Sequence, residues 1–147
     1  MGSGVQWNAS REEHPARQAA WASMSAVTRG AKQEWVALFA PDAVVEDPVG
    51  PSMFDPEGRG HHGHEGIAAF WDLAIAQAER IEFRIDDSFA AGSEVANVGT
   101  ITTHLPDGSA MDAEGVFVYR VDESGLIRSM RAFWEVDRAM ATLRQGS

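Results

Sequence analysis

The sequence predicts an α+β domain in which helices come first and a mostly antiparallel sheet follows. Up to about residue 78, apolar side chains recur at helical spacing. From Ile81 onward, apolar and charged residues alternate, as in a strand with one buried face. Two turn signals, Pro106-Asp107-Gly108 and Asp122-Glu123-Ser124-Gly125, join the later strands as hairpins. Helices followed by hairpins are typical of a sheet that helices cover on one face.

The limits of the elements follow from the same patterns. The first helix is expected to end at Gly30 and the second at Pro41, since glycine favours a helix end and proline disfavours the helical conformation just before it. The stretch 51–60 contains prolines and glycines throughout, so it is predicted to be an exposed loop that could form a lid. In chain order we predict helices at 15–28, 33–39 and 64–78, and strands beginning at 44 and spanning 81–86, 94–105, 109–120 and 126–136.

Composition indicates one globular domain and excludes several functions. The chain has 147 residues, which is enough for one core, and a formal net charge of −10 from 22 acidic and 12 basic side chains. This charge repels nucleic acids and anionic membranes, so neither is an expected partner. The chain has no cysteine, which excludes thiol chemistry and disulfides.

The N-terminus is expected to lie outside the domain. Met1-Gly2-Ser3-Gly4 is typical of residues added for expression, so we expect residues 1–14 to be flexible and residues 15–144 to form the domain. No apolar stretch approaches the length of a membrane span, and the cytoplasm is the expected compartment.

A carboxylate at the end of a strand carries the main functional signal. In Val44-Val45-Glu46-Asp47-Pro48-Val49-Gly50, Pro48 lacks a backbone donor, so strand pairing is predicted to end beside Asp47. A carboxylate at the edge of an apolar interior loses hydration, which raises its pKa and suits it to removing a proton next to a carbonyl. The alternative is that Asp47 only caps a turn, as Asp often does before Pro.

Both faces of the later strands are apolar. Phe117 and Tyr119 share one face of the strand 109–120, and two valines occupy the other face. On the last strand, Met130 and Trp134 share one face and Phe133 points away from them. A sheet with two apolar faces fits a cavity on its concave side and a partner subunit on its convex side, so we expect a homodimer.

Three blocks of the sequence resemble one family. The stretch 44–50, His62-Gly63-His64-Glu65-Gly66-Ile67-Ala68-Ala69-Phe70-Trp71 and Asp122-Glu123-Ser124-Gly125-Leu126-Ile127-Arg128-Ser129-Met130-Arg131-Ala132-Phe133-Trp134 resemble Δ5-3-ketosteroid isomerase and its relatives in the NTF2-like, SnoaL-like superfamily. The resemblance implies a cone in which about three N-terminal helices and a curved sheet enclose an apolar cavity, usually in a homodimer. It also implies that Asp47 is the general base, that Trp134 lies against it, and that Trp71 lines the pocket.

Two positions depart from this family. Its oxyanion hole consists of a Tyr and a protonated Asp, whereas ungapped alignment places Ser23 at the Tyr position and Phe117 at the Asp position. The loss of one such donor costs roughly 2–4 kcal/mol of transition-state stabilisation. Tyr119, the only tyrosine, shares a strand face with Phe117, so it could donate instead or merely pack.

The expected ligand is an apolar small molecule such as a steroid or another polycyclic ketone, bound without a cofactor. Three hypotheses remain open: a steroid Δ-isomerase with Asp47 as base, a non-catalytic carrier of a hydrophobic molecule, and another SnoaL-like reaction such as cyclisation or hydration. The missing donors favour the carrier. Besides Asp47 and Tyr119, the side chains expected to contact the ligand are Ser23, Phe70, Trp71, Phe117, Met130 and Trp134.

Two polar clusters are expected to have no catalytic role. His61, His62 and His64 could be imagined as metal ligands, but neighbouring side chains diverge, so we expect no metal site. Asp112 and Glu114 share one strand face, which we expect to be solvated or part of an interface.

Overall fold

The computed structural model describes residues 4–146. Helices precede the long strands, which confirms the predicted α+β class. In chain order the elements are β1 (Val5–Trp7), α1 (Pro15–Thr28), α2 (Lys32–Ala37), β2 (Phe39–Glu46), β3 (His61–His62), α3 (Gly63–Phe70), a π-helical segment (Trp71–Ile75), β4 (Arg80–Ala91), β5 (Glu94–His104), β6 (Ala110–Val121), β7 (Ile127–Phe133) and α4 (Val136–Met140).

The strands of this range form one mixed sheet in the order β1-β4-β5-β6-β7-β2-β3. Strands β4 to β7 are antiparallel neighbours, and the β5–β6 and β6–β7 pairs are the two hairpins that the turn signals predict. At the two sides of this meander, β1 runs parallel to β4 and β2 runs parallel to β7. The register of β4 against β5 shifts between Ile85 and Asp87, an irregularity of the kind that bends a strand.

Helix α1 covers one face of the sheet. Pro15 occupies its first turn, and the Nδ1 atom of His14 accepts a hydrogen bond from the backbone N–H of Ala16 at 3.1 Å. The small residues Ala16 and Ala20 and the longer Met24 are buried on the side that faces β4, β5 and β6. The helix therefore forms a roof over the inner face of the sheet.

Two predicted helices differ from the structure at their ends. The second helix ends at Ala37 rather than Phe39, because Phe39 begins β2 and pairs with Ile127 of β7. The third predicted helix is α-helical only to Phe70, and the segment Trp71–Ile75 continues it as a π-helix.

Three short elements were not predicted from the sequence: β1, β3 and α4. Val5–Trp7, within the segment expected to be flexible, forms the edge strand β1, because it pairs with Phe83–Ile85 and buries the side chains of Val5 and Trp7. The last strand ends at Phe133 rather than at the predicted residue 136, and the short helix α4 begins at Val136. The two-residue strand β3 pairs with Val44 and Val45 of β2. No helix within residues 4–146 has both the length and the apolar character required to cross a bilayer.

Candidate functional site

A cavity of about 370 Å³ lies between α1, the π-helical segment and the inner face of the sheet. Its walls are mainly aliphatic and aromatic, and its few polar groups include those of Ser23, Asp47 and Tyr119. Cavities of this size and composition are typical of small-molecule sites. The lining includes Met24, Val27, Trp35, Phe54, Phe70, Ala74, Phe83, Ile101, Phe117, Met130, Trp134 and Met140.

The parallel pairing of β2 and β7 places Asp47 in this cavity. The two strands run side by side with Glu46 opposite Arg131, so the residues that follow each strand lie at the same edge of the sheet. Beyond Pro48, the backbone N–H of Val49 donates to the carbonyl oxygen of Ala132 at 2.9 Å, which holds the chain against β7. The predicted end of regular strand pairing beside Asp47 is therefore where β2 ends.

Trp134 holds one oxygen of the carboxylate. Its Nε1–H donates to Oδ1 of Asp47 at 2.6 Å. Within the described part of the chain, Oδ2 has no hydrogen-bond partner and no basic side chain forms an ion pair with Asp47. The second carboxylate oxygen is thus available to a ligand.

Burial raises the pKa of the Asp47 carboxyl, and the hydrogen bond from Trp134 opposes this effect. The direction follows from the apolar surroundings, which disfavour a charge more than one N–H donor can stabilise it. A carboxylate with a raised pKa is a stronger base than an ordinary Asp side chain. A carboxyl group of this kind is suited to general acid–base catalysis.

A second polar group of the cavity consists of Ser23, Trp35 and Tyr119. The indole N–H of Trp35 donates to Oγ of Ser23 at 3.0 Å, and the hydroxyl oxygens of Tyr119 and Ser23 are 3.3 Å apart. Burial raises the pKa of Tyr119 to about 12, with an opposing contribution from the hydrogen bond to Ser23 and a further increase from the negative charge of Asp47. The phenol therefore stays protonated at neutral pH and remains able to donate.

Most of the sequence-predicted site residues meet in this cavity. Those that line it are Ser23, Asp47, Phe70, Phe117, Tyr119, Met130 and Trp134. Trp71, which the resemblance placed in the pocket, does not line it. Its ring packs 5.3 Å from that of Trp35, and Trp35 occupies the cavity wall instead.

Sequence reasoning missed Trp35 and Phe54. Trp35 belongs to an apolar helix edge that is indistinguishable from ordinary core in the sequence. Phe54 comes from the loop 51–60, where the Asp55 carboxylate accepts hydrogen bonds from the backbone N–H groups of Arg59 at 3.1 Å and Gly60 at 2.7 Å. These bonds fold the loop back, and Phe54 packs edge-on against Phe70 with ring centres 6.1 Å apart.

The histidines of the sequence motif diverge. His62 Nε2 donates to the carbonyl oxygen of Arg59, and His64 Nε2 donates to that of Phe39, each at 2.7 Å. The ring of His61 packs against Phe70 instead. Within residues 4–146, no three metal-binding side chains come together in a geometry that could hold an ion.

Asp112 and Glu114 lie away from Asp47 and are bound by arginines near the C-terminus. Asp112 pairs with Arg144 and accepts a hydrogen bond from the Thr102 hydroxyl at 2.7 Å, while Glu114 pairs with Arg138. Neither carboxylate lines the cavity.

The opposite face of the sheet carries exposed apolar side chains. Val98 pairs with Val116, which pairs with Phe133 on the next strand, so the three side chains share the outer face. The exposed fractions are 37% for Val98, 43% for Phe133 and 62% for the nearby Phe89. We call this surface, formed by Phe89, Val98, Val116 and Phe133, the convex patch.

Two comparisons with known proteins indicate the same family. The model of the SnoaL-like domain matches residues 20–130. A curated relative, the steroid Δ-isomerase of Nocardioides simplex, is 32% identical over 111 residues, which cover 76% of this chain and 82% of the relative.

Two solved structures share the fold. The Δ5-3-ketosteroid isomerase of a Mycobacterium species has a TM-score of 0.81 and 34% identity, with 90% of this chain and 98% of that chain covered. A Mycobacterium tuberculosis protein in complex with estradiol-17β-hemisuccinate has a TM-score of 0.80 and 33% identity, with 90% and 99% covered. These similarities confirm the NTF2-like fold that the sequence resemblance implied.

Proposed function

Because the chain belongs to the SnoaL-like domain family of the NTF2-like fold, we propose that it isomerises steroid-like ketones with Asp47 as the general base. One observation carries this proposal: a carboxylate of raised pKa lines an apolar cavity and keeps one oxygen without a protein partner. A solvated turn cap would have neither the cavity nor the raised pKa.

The walls of the cavity define the ligand class. Phe70, Phe117 and Met130 offer apolar surface and few hydrogen-bonding groups, so affinity comes mainly from burying a flat apolar molecule. A steroid or another polycyclic ketone has this character. The activity of the curated relative and the steroid bound to the M. tuberculosis protein support the same class.

The two carboxylate oxygens take different roles. Oδ1 is held by Trp134, so we assign proton transfer to Oδ2. With a β,γ-unsaturated ketone, Oδ2 removes the proton from the carbon between the carbonyl and the double bond. The electrons of the broken C–H bond form a dienolate whose negative charge lies on the ketone oxygen. Return of the same proton to the γ-carbon gives the conjugated ketone, and no electron is lost or gained.

The test is the conversion of a 5-ene-3-ketosteroid, followed by the absorbance of the conjugated product. General base catalysis contributes about 10²–10⁴-fold, so Asp47→Asn should lower the rate per folded protein by a factor in this range. The control is Asp42→Asn, which removes an exposed carboxylate from β2, the strand that precedes Asp47. Equal rates for the wild type and folded Asp47→Asn would contradict an isomerase role for Asp47.

A non-catalytic carrier is the second candidate, and Phe117 favours it. A phenyl ring occupies the position where the resembling family has an acidic donor, so the cavity offers less stabilisation to an enolate. A carrier would bind ketosteroids with the same affinity in the wild type and in Asp47→Asn, and neither protein would convert them.

We also propose that the chain is a homodimer joined through the convex patch. Large exposed apolar side chains on one sheet face are typical of an interface between subunits. The guanidinium of Arg131 lies 5.2 Å from the centre of the Phe133 ring and forms a charged border to the patch.

A further inference from the structure

Three buried side chains hold a connected set of hydrogen bonds in the cavity. The exposed fraction is 1% for Trp35, 2% for Ser23 and 5% for Tyr119. Trp35 donates to Ser23 at 3.0 Å, and the Ser23 and Tyr119 hydroxyl oxygens lie 3.3 Å apart. No other hydrogen bond of either hydroxyl is formed within the described part of the chain. We call Trp35, Ser23 and Tyr119 the hydroxyl relay.

The hydroxyl relay has three polar hydrogens, one on each side chain, but forms only two hydrogen bonds. An indole N–H can only donate, so Ser23 Oγ must accept from Trp35. Only one hydrogen can lie between the two hydroxyl oxygens. If Tyr119 supplies it, the Ser23 hydrogen is left over, and if Ser23 supplies it, the Tyr119 hydrogen is left over. In both arrangements one O–H has no acceptor in the protein.

The unused donor adjoins the space that the ligand would fill. Ser23 and Tyr119 both line the cavity that Asp47 lines, and the negative charge of Asp47 acts on the Tyr119 phenol. A buried hydroxyl hydrogen without an acceptor is unfavourable, and a ligand oxygen would relieve this cost. The ketone oxygen of the proposed substrate is an acceptor of this kind.

We infer that the hydroxyl relay donates one hydrogen bond to the ketone oxygen of the ligand, in place of the two donors that the resembling family would supply. This inference rests on the proposed function and names its oxygen-binding group. The free O–H belongs to Ser23 or to Tyr119, so one of these two hydroxyls donates to the ligand oxygen. Trp35 is a positioning residue, because its N–H occupies one acceptor position of Ser23 and directs the remaining hydrogen toward the cavity.

The relay also assigns an orientation to the bound ketone. The oxygen lies at Tyr119 and Ser23, and the carbon next to the carbonyl faces Asp47. During proton removal, negative charge leaves the Asp47 carboxylate and develops on the ketone oxygen. The relay then donates to an oxyanion, and such charge-assisted bonds are roughly twice as strong as neutral ones. The contribution is therefore larger in the transition state than in the ground state, as catalysis requires.

The experiment compares 2-tetralone with tetralin, two small bicyclic molecules that differ only in the ketone group. Because neither is a steroid, the test does not require the ligand to be one. Dissociation constants are measured by NMR titration for the wild type, Tyr119→Phe, Ser23→Ala, Trp35→Phe and the double variant Ser23→Ala/Tyr119→Phe. The readout is the dissociation constant of tetralin divided by that of 2-tetralone. The solvation of the two free ligands is the same for every protein, so it drops out when the ratio of a variant is compared with that of the wild type. Ser88→Ala is the control, since it removes a buried hydroxyl that does not line the cavity.

In the double variant, the preference for the ketone over tetralin should fall about 10-fold, and in Ser88→Ala it should not change. Trp35→Phe should lower the preference about 2- to 5-fold. It should also move the carbonyl carbon resonance of bound 2-tetralone toward its value in an apolar solvent, which a merely structural loss of affinity would not do.

A double variant with the wild-type preference would overturn the inference, as would a wild type that does not bind 2-tetralone up to its solubility limit. The measurement needs no turnover. A protein that shows the predicted loss of preference but converts no 5-ene-3-ketosteroid would refute the isomerase proposal and leave the relay in place.

Discussion

Trp134→Phe tests the electrostatics at the base, since it removes the hydrogen bond to Asp47 and keeps an aromatic ring beside it. This bond stabilises the ionised carboxylate, so its loss should raise the pKa of Asp47 further. Hydrogen bonds to charged groups contribute about 1.5–3 kcal/mol, and about 1.36 kcal/mol corresponds to one pH unit. The acidic limb of the pH profile of kcat/KM should therefore move upward by about 1–2 pH units.

The assay is the rate of isomerisation as a function of pH, in parallel with the ¹³C NMR titration of labelled aspartate carboxyls. Asp47→Asn identifies the Asp47 resonance by its absence. Trp21→Phe is the matched control, because Trp21 is partly exposed on α1 and does not line the cavity. An acidic limb that stays in place or moves to lower pH in Trp134→Phe would refute the assignment of Asp47 as the titrating base.

Three further predictions concern stability and assembly. Because burial raises the pKa of Asp47 in the folded protein, its ionisation opposes folding as pH rises, so Asp47→Asn should raise the Tm at about pH 8 and change it little at about pH 3; a larger gain at low pH would contradict this. Both polar side-chain atoms of the buried Asn97 lack hydrogen-bond partners among the described residues. Asn97→Val should therefore raise the free energy of unfolding by about 1–2 kcal/mol in denaturant titration, whereas a loss of stability would show that the amide is hydrogen-bonded. Phe133→Glu places a charge in the convex patch and should convert a dimer into a monomer in analytical ultracentrifugation, whereas a monomeric wild type at micromolar concentration would rule out the proposed dimer.

In the second half of the chain, the local pattern was enough to predict which side chains share a strand face. Residues two positions apart on a strand share a face, so the alternation around Phe117 and Tyr119 was enough to group them. The same rule grouped Met130 with Trp134, and all four line the cavity. The turn signal at 122–125 predicted the hairpin that makes the two strands neighbours, whereas their register, with Tyr119 opposite Met130, is known only from the structure.

Strand residues whose structure depends on pairing with distant parts of the chain could not be predicted from the local sequence. The strand β1 has three residues and forms by pairing with β4, which lies more than 70 positions along the chain. Phe39 continues an apolar helix edge in the sequence, yet its pairing with Ile127 makes it a strand residue. In both cases tertiary pairing overrides local preference.

The cavity residues near α2 show a different limit. The resemblance placed Trp71 in the pocket, whereas in the structure Trp71 packs against Trp35 and Trp35 lines the cavity. An apolar helix edge does not reveal in the sequence whether its aromatic ring faces a cavity or packs behind one. The contact between Ser23 and Tyr119 joins residues 96 positions apart. The alignment placed Ser23 at the family's Tyr position and gave Tyr119 no family position. The contact between the two hydroxyls is therefore known only from the structure.

Deuterium exchange into a saturated 3-ketosteroid tests the central claim most directly, namely that Asp47 removes a proton beside a bound ketone. This steroid has no double bond to move, so exchange at the carbons next to the carbonyl reports proton removal alone. In deuterated buffer, the wild type should incorporate deuterium at a rate proportional to protein concentration, and folded Asp47→Asn should be slower by about 10²-fold or more. Incorporation by the wild type that is no faster than by Asp47→Asn would contradict the account.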